Sequence, residues 1–102
     1  MPFHIKEKSV IASIASWKMG AAQVAIVIGN TIHLHNTTRS EFLASKRWLH
    51  HEMEHIRQYQ KHGFISFIIL YLIESAKRGY YNNKYEVAAR AAEIENVLED
   101  TL

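Results

Sequence analysis

Hydrophobic positions are grouped along this chain in six stretches, and with only four Gly and one Pro each break between them is informative. Ser9 to Met19 carries Val10, Ile11, Ile14, Ala15 and Met19 at helical spacing, with Gly20 placed as a C-terminal stop. Trp17, set among Ala and Ile, is expected in the core. Gln23 to Ile28 is short, apolar and β-branched, whereas Thr31-Ile32-His33-Leu34-His35 alternates. Gly29-Asn30 between these two runs predicts an antiparallel β-hairpin with a two-residue turn.

Thr38-Arg39-Ser40-Glu41 has the form of a capping box, and it predicts one long helix from Arg39 or Ser40 to about Lys61, with Gly63 beyond its end. Phe42, Leu49, Met53, Ile56 and Gln60 share a narrow sector of that helix, the expected core stripe. Arg47, His50, Glu54, Arg57 and Lys61 fall opposite, toward solvent, and His51, His55, Glu52, Trp48 and Tyr59 lie between. Phe64 to Arg78 is apolar on nearly every side in its first half and stops at Gly79, which predicts a buried helix. A last amphipathic helix is expected from Asn83-Lys84-Tyr85-Glu86 onward, with Val87, Ala91, Ile94 and Leu98 at i, i+4, i+7 and i+11. The pattern therefore predicts an α+β fold, a short hairpin packed on three to four helices.

Composition narrows this picture. At 102 residues and 11.8 kDa the chain has room for one core, so a single domain over residues 1–102 is expected. Hydrophobic residues at 48% and charged residues at 22% are ordinary for a globular domain. The net charge is +2, and no Lys/Arg run reaches five residues, so nucleic acid is not an expected partner. The start, Met1 to Lys8, leads into a stretch interrupted by Ser9, Ser13, Ser16 and Lys18, which does not read as a signal peptide. Phe64 to Ile73 is about half of the ~20 residues a membrane-spanning helix needs, so no span and a cytoplasmic location are expected. Cys is absent, so any metal must be held by His and carboxylates, and seven His is more than an average chain would carry.

His51-Glu52-Met53-Glu54-His55 is an H-E-x-x-H motif. On a helix its two His stand one turn apart on the same face and can reach one ion. Glu52 projects about 100° further round, able to contact a water on that ion without ligating it, which is why zinc hydrolases use this spacing. A shuffled chain of this composition yields the pattern at roughly 0.04, so context matters. The helical wheel supplies it, since both His fall at the boundary between core stripe and solvated face.

Catalytic zinc takes three protein ligands and an open position, so a third group must come from elsewhere. Glu74 and Glu86 are the candidates, and spacing does not separate them. Glu74 lies on an apolar helix, where an unpaired carboxylate would be costly and a basic or tyrosyl partner is the alternative reason for its presence. Glu86 lies in the first turn of the last helix, where a capping role or an i,i+4 pair with Arg90 is the alternative. His33 and His35 share one strand face and read mainly as the polar side of the hairpin. Tyr80 and Tyr81 are expected to pack on the core.

His51-Glu52-x-x-His55 with Gln58, the aromatic and aliphatic block Phe64 to Ile73, and Asn83-x-x-Glu86-x-x-Ala89-Arg90 together resemble the small bacterial zincin-like metallopeptidases of gluzincin type. The resemblance covers Val24 to about Glu93. It implies a minimal zincin-like domain, zinc (Zn2+) held by His51, His55 and Glu86, and Glu52 as catalytic base. It also implies a peptide or protein substrate bound by β-addition to the hairpin's edge strand. Two alternatives stand beside it: a zinc-binding module without turnover, serving regulation or scaffolding, and a helical interaction domain whose H-E-x-x-H is accidental.

Overall fold

The computed structural model describes residues 3–100, with side chains described for residues 3–94. The architecture is α+β, in the order β1 (His4–Lys6), α1 (Val10–Met19), β2 (Val24–Ile28), β3 (Thr31–His35), α2 (Arg39–Ala44), α3 (Lys46–His62), α4 (Phe64–Asn82) and α5 (Lys84–Asp100). Five helices therefore stand where three to four were expected.

The sheet has three strands in the order β1-β3-β2. β2 and β3 run antiparallel around Gly29-Asn30, with Ile28 opposite Thr31 and Val24 opposite His35. β1, which sequence patterning did not anticipate, runs parallel to β3. It is only three residues long, and the His4 amide donates to the Asn30 carbonyl at 2.8 Å to start the pairing. β2 is thus an edge strand. In a two-residue hairpin Ile28 and Thr31 exchange hydrogen bonds, and alternation along the ladder turns the backbone groups of Ala25 and Val27 away from β3. The Val27 carbonyl accepts the Tyr59 hydroxyl at 3.2 Å from that outer side.

One face of the sheet packs on α2 and α3 through Val27, Ile32, Leu34, Phe42 and Ile56, all buried. The other face carries α1, whose N-cap Ser9 is held by two contacts with β3. Its amide donates to the Leu34 carbonyl at 3.0 Å, and its hydroxyl lies 2.9 Å from Nδ1 of His33. α1 buries only Ala12, and Trp17, expected in the core, is 80% exposed. Docking through one alanine leaves the wider apolar stripe facing outward.

The helix expected from Arg39 to Lys61 is two helices. The Thr38–Glu41 capping box forms, but the chain breaks at Ser45, whose extended backbone ends α2 and whose hydroxyl caps α3 by accepting from the Trp48 amide. Ile56 is buried in the core with Leu49 and Met53 packed against it, as expected of the stripe. The buried residues of α3 are Glu52, His55, Ile56 and Gln58, while Leu49 and Met53 are half-buried and Gln60 is exposed. His50, expected in solvent, is half-buried.

α4 buries only Phe67 and Glu74 among its described side chains; Phe64, Ile65, Ile69, Leu72 and Ile73 are exposed, so the buried helix expected here is an exposed apolar one. Gly79, in the left-handed region at φ 77°, interrupts its helical backbone. Asn83 then fixes the entry to α5. Its side chain is fully buried, donates to the Tyr71 carbonyl and to Ser75 Oγ, and accepts from the Tyr85 amide. α5 packs along α3 through Tyr85, Glu86, Ala89 and Ala92, and the two alanines permit close approach. Val87, Ala91 and Ile94, the face expected to be buried, point outward; the side chain of Leu98 lies outside the described residues.

Candidate metal centre

The Asn83 anchor and the close α3–α5 packing bring Glu86 against the H-E-x-x-H turn. Glu86 Oε1 lies 3.1 Å from Nε2 of His51 and 3.2 Å from Nε2 of His55. Ligand atoms of His51, His55 and Glu86 all lie within 4.8 Å of one another, the one such metal-competent group among the described residues. With bonds of about 2.0–2.1 Å, neighbouring ligand atoms of a tetrahedral site stand roughly 3.3 Å apart. The two His–Glu86 separations are close to that edge.

The outer contacts fix what the inner nitrogens offer. Gln58 donates its amide to the Tyr85 carbonyl at 3.0 Å, which turns its Oε1 toward Nδ1 of His55 at 2.9 Å. An acceptor there requires a proton on Nδ1, leaving Nε2 of the neutral ring with a lone pair. His51 is arranged alike, its Nδ1 2.7 Å from Oε2 of Glu93. Two lone pairs thus converge on a carboxylate that already accepts the Tyr71 hydroxyl at 2.5 Å. Such a cluster needs positive charge at its centre, from extra protons or from a cation. A divalent ion fits the donor set of two imidazoles and one carboxylate.

Proton affinities follow from the same geometry. Burial works to lower the His51 pKa, but Glu86, Glu52 and Glu93 outweigh it and push the ring up to about 9. His55 is raised too, with Glu86 overcoming the effect of burial. Burial acts to raise Glu86, yet hydrogen bonds from His51, His55 and Tyr71 hold it well below the usual carboxylate range. Glu52, buried beside the histidines, has its carboxyl raised by desolvation to about 7 against the pull of His55 and His51. It is therefore poised to exchange a proton near neutrality.

Glu74 is engaged elsewhere. Its carboxylate accepts from the Lys84 amide at 3.2 Å, at the start of α5, and pairs with Arg78 Nε at 3.0 Å. Of the two candidates, only Glu86 joins the histidines. His33 turns to Ser9 and forms no metal-competent group with His35 among the described residues. Tyr81 is exposed, its ring under the Arg90 guanidinium at 4.0 Å, and Tyr80 is exposed at the cleft, so neither packs on the core as expected. Burial and the nearby Glu86 push the Tyr80 phenol up to about 12.

Sequence reasoning missed Glu93 and Tyr71. Glu93 lies two turns after Glu86 on the same face of α5, a spacing that was legible; nothing local marks Tyr71.

His51 and Glu52 lie where two compartments of one cleft meet. One, about 430 Å³, is mainly apolar, with Ile26, Ile28, Phe67, Ile68 and Leu72 around the metal-competent group. The other, about 460 Å³, is more polar, with Gln23, Ser45, Arg47 and Glu93. Residues of β2 line both. No protein-family model matches the chain, and no curated protein or solved structure matches it.

Proposed function

We propose that the protein is a zinc-dependent hydrolase that cleaves peptide bonds, a minimal zincin-like enzyme. The observation that carries this reading is the convergence of both His Nε2 atoms on Glu86 beside the buried Glu52, within a cleft bordered by an edge strand. His51, His55 and Glu86 would hold zinc. When bound, zinc supplies Lewis acidity, lowering the pKa of a water toward about 7 and polarising a carbonyl.

The remaining work falls to this chain's side chains. Glu52, buried beside both histidines without joining the three-ligand group, accepts the proton of the attacking water and passes it to the leaving amine. Gln58 and Glu93 hold the imidazoles in the tautomer that presents Nε2. The outward backbone groups of Ala25, beside a Val27 carbonyl already held by Tyr59, offer an extended peptide an edge to pair with. Tyr80, kept neutral by its raised pKa, is a hydroxyl donor available at the cleft.

A peptide library digested with zinc-loaded wild type and Glu52→Gln tests this reading. Cleavage by wild type alone supports it. Stoichiometric zinc in both proteins with no cleavage by either assigns the centre instead to a module without turnover.

A further inference from the structure

We propose that the exposed apolar faces of α1 and α4 dock the protein on the surface of an anionic lipid bilayer. On α4, Ile65, Ile69 and Leu72 repeat at i, i+4 and i+7, opposite the buried Phe67 and Glu74, and they are 65%, 52% and 61% exposed. On α1, Val10, Ile14 and Trp17 form a second exposed stripe, opposite the buried Ala12. Contiguous exposed apolar surface of this kind marks an interaction site.

Charge and residue type select the occupant. Of the chain's ten acidic residues, only Glu74 falls on α1 or α4, and it is buried and paired with Arg78. Neither helix exposes a carboxylate, whereas Lys18 follows Trp17 and Lys77 precedes Tyr80 and Tyr81. Arg90 adds a further cation over the Tyr81 ring. Aliphatic stripes ending in Trp, Tyr and basic residues match the layering of a membrane interface, where aromatic rings sit at headgroup depth and cations meet anionic lipid. Protein interfaces, in contrast, are depleted in Lys. No described helix is long and apolar enough to cross a membrane, so the contact is peripheral. Both helices border the cleft, α1 through Met19 at its C-terminal end and α4 through Leu72 and Tyr80. Docking therefore places the cleft next to the lipid surface.

Flotation of the full chain with phosphatidylcholine vesicles, with and without a quarter of phosphatidylglycerol, tests the proposal. Wild type should float at least fivefold more with the anionic vesicles, with a blue shift of emission that Trp17→Phe abolishes. Ile65→Glu/Ile69→Glu changes only exposed positions; it should keep wild-type helicity and zinc binding and lose flotation. Absence of flotation on anionic vesicles, or equal flotation by the double variant, overturns the proposal. So does a wild-type dimer, seen by light scattering, that the same double variant splits, because the face then belongs to a second copy.

Discussion

Glu93 Oε2 lies 2.7 Å from Nδ1 of His51, so the helix that supplies Glu86 also supplies the group that orients one of its partners. A carboxylate on the outer nitrogen fixes the ring and raises its basicity, and losing such a partner typically weakens a metal by about 10–100-fold. Glu93→Gln should therefore lower zinc affinity by at least tenfold while the helical content stays unchanged. Competition with a chromophoric chelator measures it; unchanged affinity would show that Glu93 does not orient the ligand.

Stability of the metal-free protein should fall as pH rises. His51 has a folded pKa of about 9 against 6.5 unfolded, so its contribution is complete below pH 6.5 and is lost as pH rises through 9. Glu52, raised from 4.5 to about 7, acts in the same sense, losing its contribution between those values. Glu86, whose pKa is depressed, acts in the opposite sense, and only below its ordinary value of 4.5. Thermal unfolding in chelator should thus show a decline from pH 5 to 9. Zinc should reverse the slope, because its ligands bind in their deprotonated forms. A flat metal-free profile would mean that these groups are not coupled as the geometry implies.

Ser45→Ala should destabilise the fold by about 1 kcal/mol, the usual cost of a lost N-cap. Denaturant unfolding gives the value. No change would mean that the α2–α3 break does not depend on the Ser45 hydroxyl.

Glu74→Gln should cost about 1 kcal/mol, from the weakened cap on α5 and the lost pairing with an exposed Arg78, and should leave zinc affinity unchanged. Unfolding and zinc titration of the same variant separate the two effects. Loss of zinc by this variant would move the third ligand to Glu74.

The parts of the fold legible in the sequence are those fixed by local chemistry. The Thr38–Glu41 capping box, the Gly20 stop and the Gly29-Asn30 turn each rest on a few neighbouring residues. The one-turn spacing of His51 and His55 is equally local. Which face of a helix is buried depends instead on its neighbours. α3 packs its Leu49, Met53 and Ile56 stripe on the core as periodicity indicates, but α5 also covers the adjoining polar face, which buries Glu52, His55 and Gln58. α5 buries Ala89 and Ala92 because close contact with α3 needs small residues, not the larger Val87 and Ile94. Hydrophobicity also misjudged α1 and α4, whose stripes are exposed. Choosing Glu86 over Glu74 on residues alone required the Asn83 anchor, a tertiary contact that no spacing encodes.

The proposed centre requires His51, His55 and Glu86 to bind one metal ion together. Calorimetric titration of untagged, metal-free protein with zinc tests it most directly, alongside His51→Ala, His55→Ala and Glu86→Gln. One equivalent should bind tightly to wild type, and tight binding should be lost in both histidine variants. Glu86→Gln should be weakened markedly, with circular dichroism preserved throughout. Wild type that takes up no zinc, or variants that bind it at wild-type affinity, would rule out this ligand set.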